Sequence, residues 1–315
     1  MPESFFILSK ENLELAIDEI TTITKSFDRF AKIKIISNLI IIQSKTNWKK
    51  ISERATFVKT SGQILRKMSG LFLDEENFQV LKNTQSFVCR VINLSTNQLD
   101  VLELEKSMGD MISKFTQAKV NLKNPEITVY LIFTNTESFF GFSEKYENKI
   151  RPKKVKKYPH ELDWKLTRVM INLTGLKKGQ TVCDPFCGTG TTLLESESMG
   201  INAIGIDFDE KMCNMTKENL KLNNFKSKIL KSDFKELLKI SNNFDAIVTD
   251  LPYGKSSKTS EKPEEILKRF ISIVPKNKKI AIMFKKELDP KMKLKGLKKY
   301  HIYRHKSLTR TILIK

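Results

Sequence analysis

The sequence predicts an α/β chain: a ferredoxin-like α/β layer, then a second small α/β unit, then a doubly wound, seven-stranded, Rossmann-like sheet with a closing antiparallel hairpin. Three observations carry this. The first fifty residues follow the order β-α-β-β-α, the start of a ferredoxin-like fold. From about Pro159 onward, apolar β-rich runs alternate with helical patterns, which argues for a parallel sheet covered on both faces. The chain then finishes with Tyr300 to His305 and Thr309 to Ile314, two strands joined by Lys306-Ser307-Leu308. Such a hairpin adds an antiparallel edge to an otherwise parallel sheet.

Taken in order, Phe5-Phe6-Ile7-Leu8 reads as a strand, and Leu13, Ala16, Ile17, Ile20 and Ile23 lie at helical spacing. Ala31 to Ile36 and Leu39 to Ile42 flank Ser37-Asn38, a hairpin signal. Trp48 to Lys59 reads as a helix. In the next unit Phe87 to Ile92 is a strand and Leu102 to Phe115 an amphipathic helix, while Ile127 to Phe133 and Ser138 to Phe142 form an aromatic-faced hairpin. Lys145 to Lys157 carries seven basic residues against one acid, with Pro152, and reads as a linker or exposed arm. The last third gives strands at Thr181 to Cys187, Ala203 to Asp207, Lys228 to Lys231, Phe244 to Thr249 and Lys279 to Phe284. Helices fall at Thr191 to Met199, Glu210 to Leu222 and Glu264 to Ile273.

The 315 residues include 56 Lys or Arg against 36 Asp or Glu, a formal charge of +20. An excess of that size points to a polyanionic partner more than to a merely solvated surface. A membrane is not expected: the longest apolar stretch, Ile33 to Ile42, is interrupted by Lys34, Ser37 and Asn38 and is too short to span. The N-terminus lacks a signal-peptide layout. Cys89, Cys183, Cys187 and Cys213 offer one C-x3-C spacing with no second ligand pair, so no metal site and no structural disulfide are expected, and a cytoplasmic location is.

Two stretches carry chemistry. In the first, Val182-Cys183-Asp184-Pro185-Phe186-Cys187-Gly188-Thr189-Gly190-Thr191, an apolar strand runs through an acid into a glycine turn and a helix. That arrangement brings a ligand against bare backbone at a helix N-terminus. It lacks both the G-x-G-x-x-G spacing of a dinucleotide site and the lysine of a P-loop. The next strand ends in Asp207, placed to hold a ribose diol, unless it caps the following helix as Asp209 can. A third strand ends near Asp233-Phe234, where an acid and a ring could hold an adenine, or Phe234 could be core. The second stretch is Asp250-Leu251-Pro252-Tyr253. A base amine is a poor nucleophile because its lone pair is delocalised into the ring. Acceptors that hold its N–H bonds, with an aromatic ring stacked on the extruded base, would activate it.

At these residues the chain resembles class I S-adenosylmethionine-dependent methyltransferases acting on base amino groups, with their (D/N/S)-P-P-(Y/F) and D-P-F-C-G-(S/T)-G motifs. More narrowly it resembles the THUMP-containing tRNA guanine-2-amino methyltransferases. Val120 to Ile127 is similar to the signature before the last THUMP strands, Lys165 to Leu173 to the helix before the glycine turn, and His305-Lys306-Ser307-Leu308-Thr309-Arg310 to the closing hairpin of the subgroup modifying guanosine 10. One departure is Leu251, where the family motif has its first proline.

The resemblance implies S-adenosylmethionine as cofactor and tRNA as partner. It implies a cofactor site at Asp184, Phe186, Gly188, Gly190, Asp207, Asp233 and Phe234, and catalytic residues Asp250, Pro252 and Tyr253. It implies a ferredoxin-like domain over 1–52, a THUMP domain over 53–147, a basic linker over 148–164 and a methyltransferase domain over 165–315. Monomer is the simplest oligomeric state, though the sequence leaves it open, together with mono- versus dimethylation. Competing readings are an acceptor-stem guanosine, another RNA or DNA base amine, or a non-catalytic RNA-binding protein.

Overall fold

The computed structural model describes residues 1–68, 75–145, 151–158, 161–251, 262–291, 297–305 and 308–315. They divide into two compact units. The first comprises Met1–Ile17, Asp28–Glu53 and Phe57–Lys149; the second comprises Asp18–Phe27, Arg54–Thr56 and Ile150–Lys315.

The elements of the N-terminal half are β1 (Glu3–Leu8), α1 (Leu13–Phe27), β2 (Lys32–Ile36), β3 (Leu39–Gln43), α2 (Trp48–Arg54), β4 (Val58–Met68), β5 (Ser86–Asn93), α3 (Val101–Phe115), β6 (Lys119–Val120), β7 (Ile127–Phe133) and β8 (Ser138–Glu144). Its eight strands form one continuous sheet in the order β2-β3-β1-β4-β8-β7-β5-β6. The hairpin expected at Ser37-Asn38 is present, with Ser37 at φ 56. The helix expected over Trp48 to Lys59 stops at Arg54, and the residues after it form the eleven-residue strand β4. Thr60-Ser61-Gly62 is poor helix sequence. β4 is instead fixed by its neighbours, pairing antiparallel with β1 on one side and β8 on the other. Gly62 is required there: a Cβ would stand 2.2 Å from the Phe142 carbonyl oxygen and 2.7 Å from the Phe5 ring. The core over this junction is Phe5, Ile7, Leu39, Ile41, Ile64, Ile132 and Phe139.

The C-terminal elements are α4 (Trp164–Leu173), β9 (Thr181–Asp184), α5 (Thr191–Ser198), β10 (Asn202–Asp207), α6 (Glu210–Leu222), β11 (Lys228–Lys231), β12 (Ala246–Asp250), α7 (Pro263–Ile273), β13 (Lys279–Lys285), β14 (Lys298–His305) and β15 (Leu308–Ile314). The sheet order is β11-β10-β9-β12-β13-β15-β14. The first five strands pair in parallel, and the closing hairpin runs antiparallel, as the sequence predicts. The order reverses between β9 and β10 on one side and β12 on the other. That switch point is where an open α/β sheet leaves a crevice at its C-terminal strand ends. Asp163 caps α4 and Asp209 caps α6, each accepting backbone N–H bonds of the first turn, while α7 begins with Pro263.

Residues 151–158, read from composition as part of a linker, are stitched along α6. Asn223 exchanges hydrogen bonds with Lys153, its side-chain oxygen accepting from Lys153 N at 2.8 Å and its amide donating to the carbonyl at 2.7 Å. Asn219 does the same for Val155 and Lys156, and its amide also donates to Thr189 O at 3.0 Å. Lys154 donates to Glu161 at 2.7 Å and to Thr191 at 2.6 Å. The strap is thereby bound to the turn that precedes α5.

Behind α4, within the same unit, lies a buried polar network. Asn172 donates to Glu19 at 2.7 Å and to the Arg54 carbonyl at 3.0 Å, and accepts from Arg54 Nε at 2.9 Å. Glu19 also accepts from Thr56 N with both carboxylate oxygens. Removing one partner from a buried network strands the others without water. Asn172→Ala should therefore destabilise the protein by about 2–4 kcal/mol, measured by equilibrium urea unfolding. A change within about 0.5 kcal/mol would mean that the network contributes nothing net.

Candidate active site

Three parallel strands each end in an acid, Asp184 on β9, Asp207 on β10 and Asp250 on β12, and all three line one cavity of about 390 Å³. Phe186, Gly188, Asp233 and Phe234 line it too. The structure thus brings together seven of the ten residues that the sequence singles out. Gly190 is not in the wall. It adopts φ 84 at the cap of α5, and a Cβ there would stand 2.7 Å from Thr216 Cγ2, so it shapes the turn from behind. Pro252 and Tyr253 lie outside the described residues.

Asp184 is 3% exposed. Its Oδ1 accepts from Thr249 Oγ1 on β12 at 2.7 Å and from Phe186 N at 3.1 Å, and the carboxylate also accepts from the Thr192 hydroxyl on α5. Burial pushes its carboxyl up to about 6 despite these three donors. Asp207 is likewise raised by burial, with its two oxygens accepting from Gly188 N and Asp209 N, each at 2.9 Å. The acid of the second strand therefore fixes the glycine turn of the first. Asp233 lines the cavity but also caps a 3-10 turn, accepting from Lys235 N at 3.0 Å. Phe234 belongs to an aromatic cluster with Phe186, at 5.2 Å between centroids, and Phe270, so it is core that reaches the wall.

Leu251, where the family motif has proline, is buried in the core and donates its N–H to the Met283 carbonyl at 2.9 Å. That bond extends the β12–β13 ladder, and a proline could not make it. Residues absent from the sequence reading also line the site. Phe208, 52% exposed, stands next to Asp207 in the wall. Glu161 lines it as well, and its Oε2 accepts from Lys154, from Thr189 Oγ1 at 2.7 Å and from Tyr158 N at 3.1 Å. Burial alone would raise the Glu161 carboxyl, but its hydrogen bonds from Lys154 and Thr189 prevail and hold it below the ordinary range. Arg310 on β15 donates to Asp250 Oδ2 at 2.9 Å. Burial drives the Cys183 and Cys187 thiols upward, as expected of inert packing residues.

Folding raises the Asp184 carboxyl, so its contribution to stability is complete below the ordinary carboxylate range and is lost as pH climbs through about 6. The stability of the ligand-free protein relative to Asp184→Asn should accordingly fall between about pH 4 and about pH 7. Urea unfolding of both proteins at the two pH values reads this difference, and a wild-type stability that rises with pH relative to the variant would contradict the raised carboxyl.

Comparison with known proteins places this geometry. A sequence-family model described as "RMKL-like, methyltransferase domain" matches residues 151–310, and one described as "DNA methylase" matches residues 5–218. The tRNA (guanine(10)-N2)-dimethyltransferase of Methanocaldococcus jannaschii is 34% identical, over 76% of this chain and 73% of that one. The protein of that name from Methanothermobacter thermautotrophicus is 30% identical over 99% and 98%. Among solved structures, TrmN from Thermus thermophilus superposes with a TM-score of 0.60 over 99% of both chains at 16% identity, a likeness of fold. At the identity and coverage of the two dimethyltransferases, the chain belongs to the tRNA (guanine(10)-N2)-dimethyltransferase family of Rossmann-like methyltransferases.

Proposed function

We propose that this protein transfers methyl groups from S-adenosylmethionine to the exocyclic 2-amino group of guanosine 10 in tRNA, giving the dimethylated product named for its relatives. The observation that carries this is the presence of Asp250 in the wall of the cavity that also holds Asp184, Gly188 and Asp207. A donor site and an amine acceptor thus share one enclosure.

The wall suits the donor. Asp207 offers a carboxylate for a ribose diol, Phe208 and Phe186 offer ring surface for a purine, and Asp233 lies beside them for its amine. Asp184, Thr189 and Glu161 make the polar end, where a charged amino-acid moiety would lie. When bound, S-adenosylmethionine supplies an electrophilic methyl group on a sulfonium. The protein then has to orient and desolvate. Asp250 accepts an N–H of the guanine amine, and the Leu251 carbonyl is the second acceptor. Transfer would break the sulfonium S–CH3 bond, leaving a neutral thioether, as the nitrogen lone pair forms the new N–C bond; nitrogen would become positive and give up a proton to the Asp250 carboxylate. The anionic carboxylate stabilises that charge as it develops.

The lysine and arginine excess provides the grip on tRNA. Residues 276–315 alone hold fourteen basic residues against two acids. Such contacts set affinity and register, and the cavity sets which atom reacts.

Nucleoside mass spectrometry of an unmodified tRNA transcript after incubation with the protein and S-adenosylmethionine tests the proposal. N2-methyl- and N2,N2-dimethylguanosine at position 10 are expected, with no tritium transfer from labelled donor into DNA. Transfer into DNA alone would overturn it. Asp250→Ala should lower kcat by about 10²–10⁴ with cofactor affinity nearly unchanged, whereas Asp207→Ala should weaken cofactor binding first; calorimetry and single-turnover rates separate the two. Tight tRNA binding should weaken steeply with salt, with a log–log slope of about −0.7 to −0.9 per phosphate contacted, while the methylated position stays fixed. Filter binding across a salt series checks this, and a flat curve would remove the electrostatic grip.

A further inference from the structure

The ion pair between Asp250 and Arg310 joins residues 60 positions apart, on strands that are not neighbours. In the sheet, β13 lies between β12 and β15. Asp250 stands opposite Met283, and Met283 opposite Ile312, so the three form a row on one face. Arg310 is two residues from Ile312 and therefore projects from the same face. Its side chain crosses Met283, with Nη1 3.4 Å from Sδ, and reaches the carboxylate of Asp250. It spans two strand spacings, about 10 Å, which only a long side chain can bridge. The pair is largely withdrawn from water, the two side chains being 9% and 18% exposed.

We infer that Arg310 is the positioning residue for the catalytic carboxylate: its guanidinium holds Asp250 in one rotamer, so that the carboxylate meets the incoming guanine amine as an acceptor. This rests on the reading of Asp250 as the amine acceptor.

Three observations support it. First, the cavity collects carboxylates, with Asp184, Asp207 and Asp250 in one wall, and the guanidinium of Arg310 brings a positive charge into direct contact with the one that ends β12. Second, Arg310 grips Asp250 at Oδ2 while Asp250 also lines the cavity where the amine would enter, so one carboxylate meets both the clamp and the enclosure. Third, Arg310 is fixed independently of any ligand, by the β13–β15 and β14–β15 ladders on both sides of it. The clamp is present before substrate arrives, which is the requirement for preorganisation.

Arg310 also lines a second cavity, of about 640 Å³, with Arg151, Lys154, Lys157 and Trp164. A direct phosphate contact from there would be the rival role for this arginine, and the kinetics separate the two. The experiment uses the full chain, an unmodified tRNA transcript and S-adenosylmethionine, with Arg310→Ala, Arg310→Lys and Asp250→Ala alone and Arg310→Ala combined with Asp250→Ala. Arg310→Ala should lower kcat by about 10²–10³ and leave KM for tRNA and for the cofactor within about threefold. Arg310→Lys, which keeps charge without the planar fork, should recover about tenfold of that. Millimolar guanidinium ion should restore part of the rate to Arg310→Ala and none to Asp250→Ala. The double variant should be no slower than Asp250→Ala alone, because the clamp has nothing left to hold.

A loss confined to KM for tRNA, a near-normal kcat in Arg310→Ala, or additive effects in the double variant would each overturn the assignment. If Arg310→Ala does not fold, Arg310→Lys decides: a wild-type kcat there refutes the need for the fork. A wild-type protein that leaves guanosine unmethylated would instead refute the underlying reading.

Discussion

The site is organised around a carboxylate that is buried on purpose. Asp184 ends β9 and takes hydrogen bonds from Thr249 on β12, from Thr192 on α5 and from the Phe186 amide in the turn. Burying that acid is unfavourable, as its upward shift to about 6 records. In return, the strand that begins the glycine turn is locked to the strand that ends in Asp250. The distance between the glycine turn and Asp250 is therefore set inside the core and not by surface loops. Asp207 extends the same logic sideways, holding Gly188 N from β10. The three acids thus form a chain of mutual restraint, with Arg310 at its far end.

The neighbouring strap adds a second layer. Asn219 on α6 and Asn223 at its C-terminal cap take up the backbone polar groups of Lys153, Val155 and Lys156, and Asn219 also reaches the carbonyl of Thr189. Within the strap, Lys154 donates to Glu161 and Thr191. A segment rich in lysine, which composition suggests should be solvated, is ordered because two asparagine side chains act as substitute backbone. One of its lysines becomes part of the site wall's hydrogen bonding.

Much of this was legible in the sequence, for a local reason. Short continuous apolar runs that stop at an acid mark the ends of buried parallel strands, and Asp184, Asp207 and Asp250 all lie at such stops. The alternation of such runs with helical patterns after Pro159, and the closing hairpin, are read from local hydrophobic patterns in the same way. What periodicity does not encode is pairing over distance. β4 carries Lys59, Thr60, Gln63 and Lys67 and shows no clean alternation, and it is a strand because β1 and β8 flank it. Glu161 and Arg310 are charged residues in basic surroundings, unremarkable until the fold carries them 28 and 60 positions away to Thr189 and Asp250. The resemblance marked the stretch around Arg310 without assigning it work. Asp233 was legible as a strand-end acid, but its capping of Lys235 is visible only in three dimensions.

The place of β4 in the N-terminal sheet has a consequence for how that unit can be handled. Because β4 joins β1 to β8, no register line in the sheet separates a first subdomain from a second. Cutting the chain after the first fifty residues would strip β1 of one of its two partners and bare a strand of Phe5, Phe6, Ile7 and Leu8 along its open hydrogen-bonding edge. An uncovered apolar edge invites strands from other chains. Separating the two halves of this sheet would therefore produce sticky fragments along the β1–β4 seam.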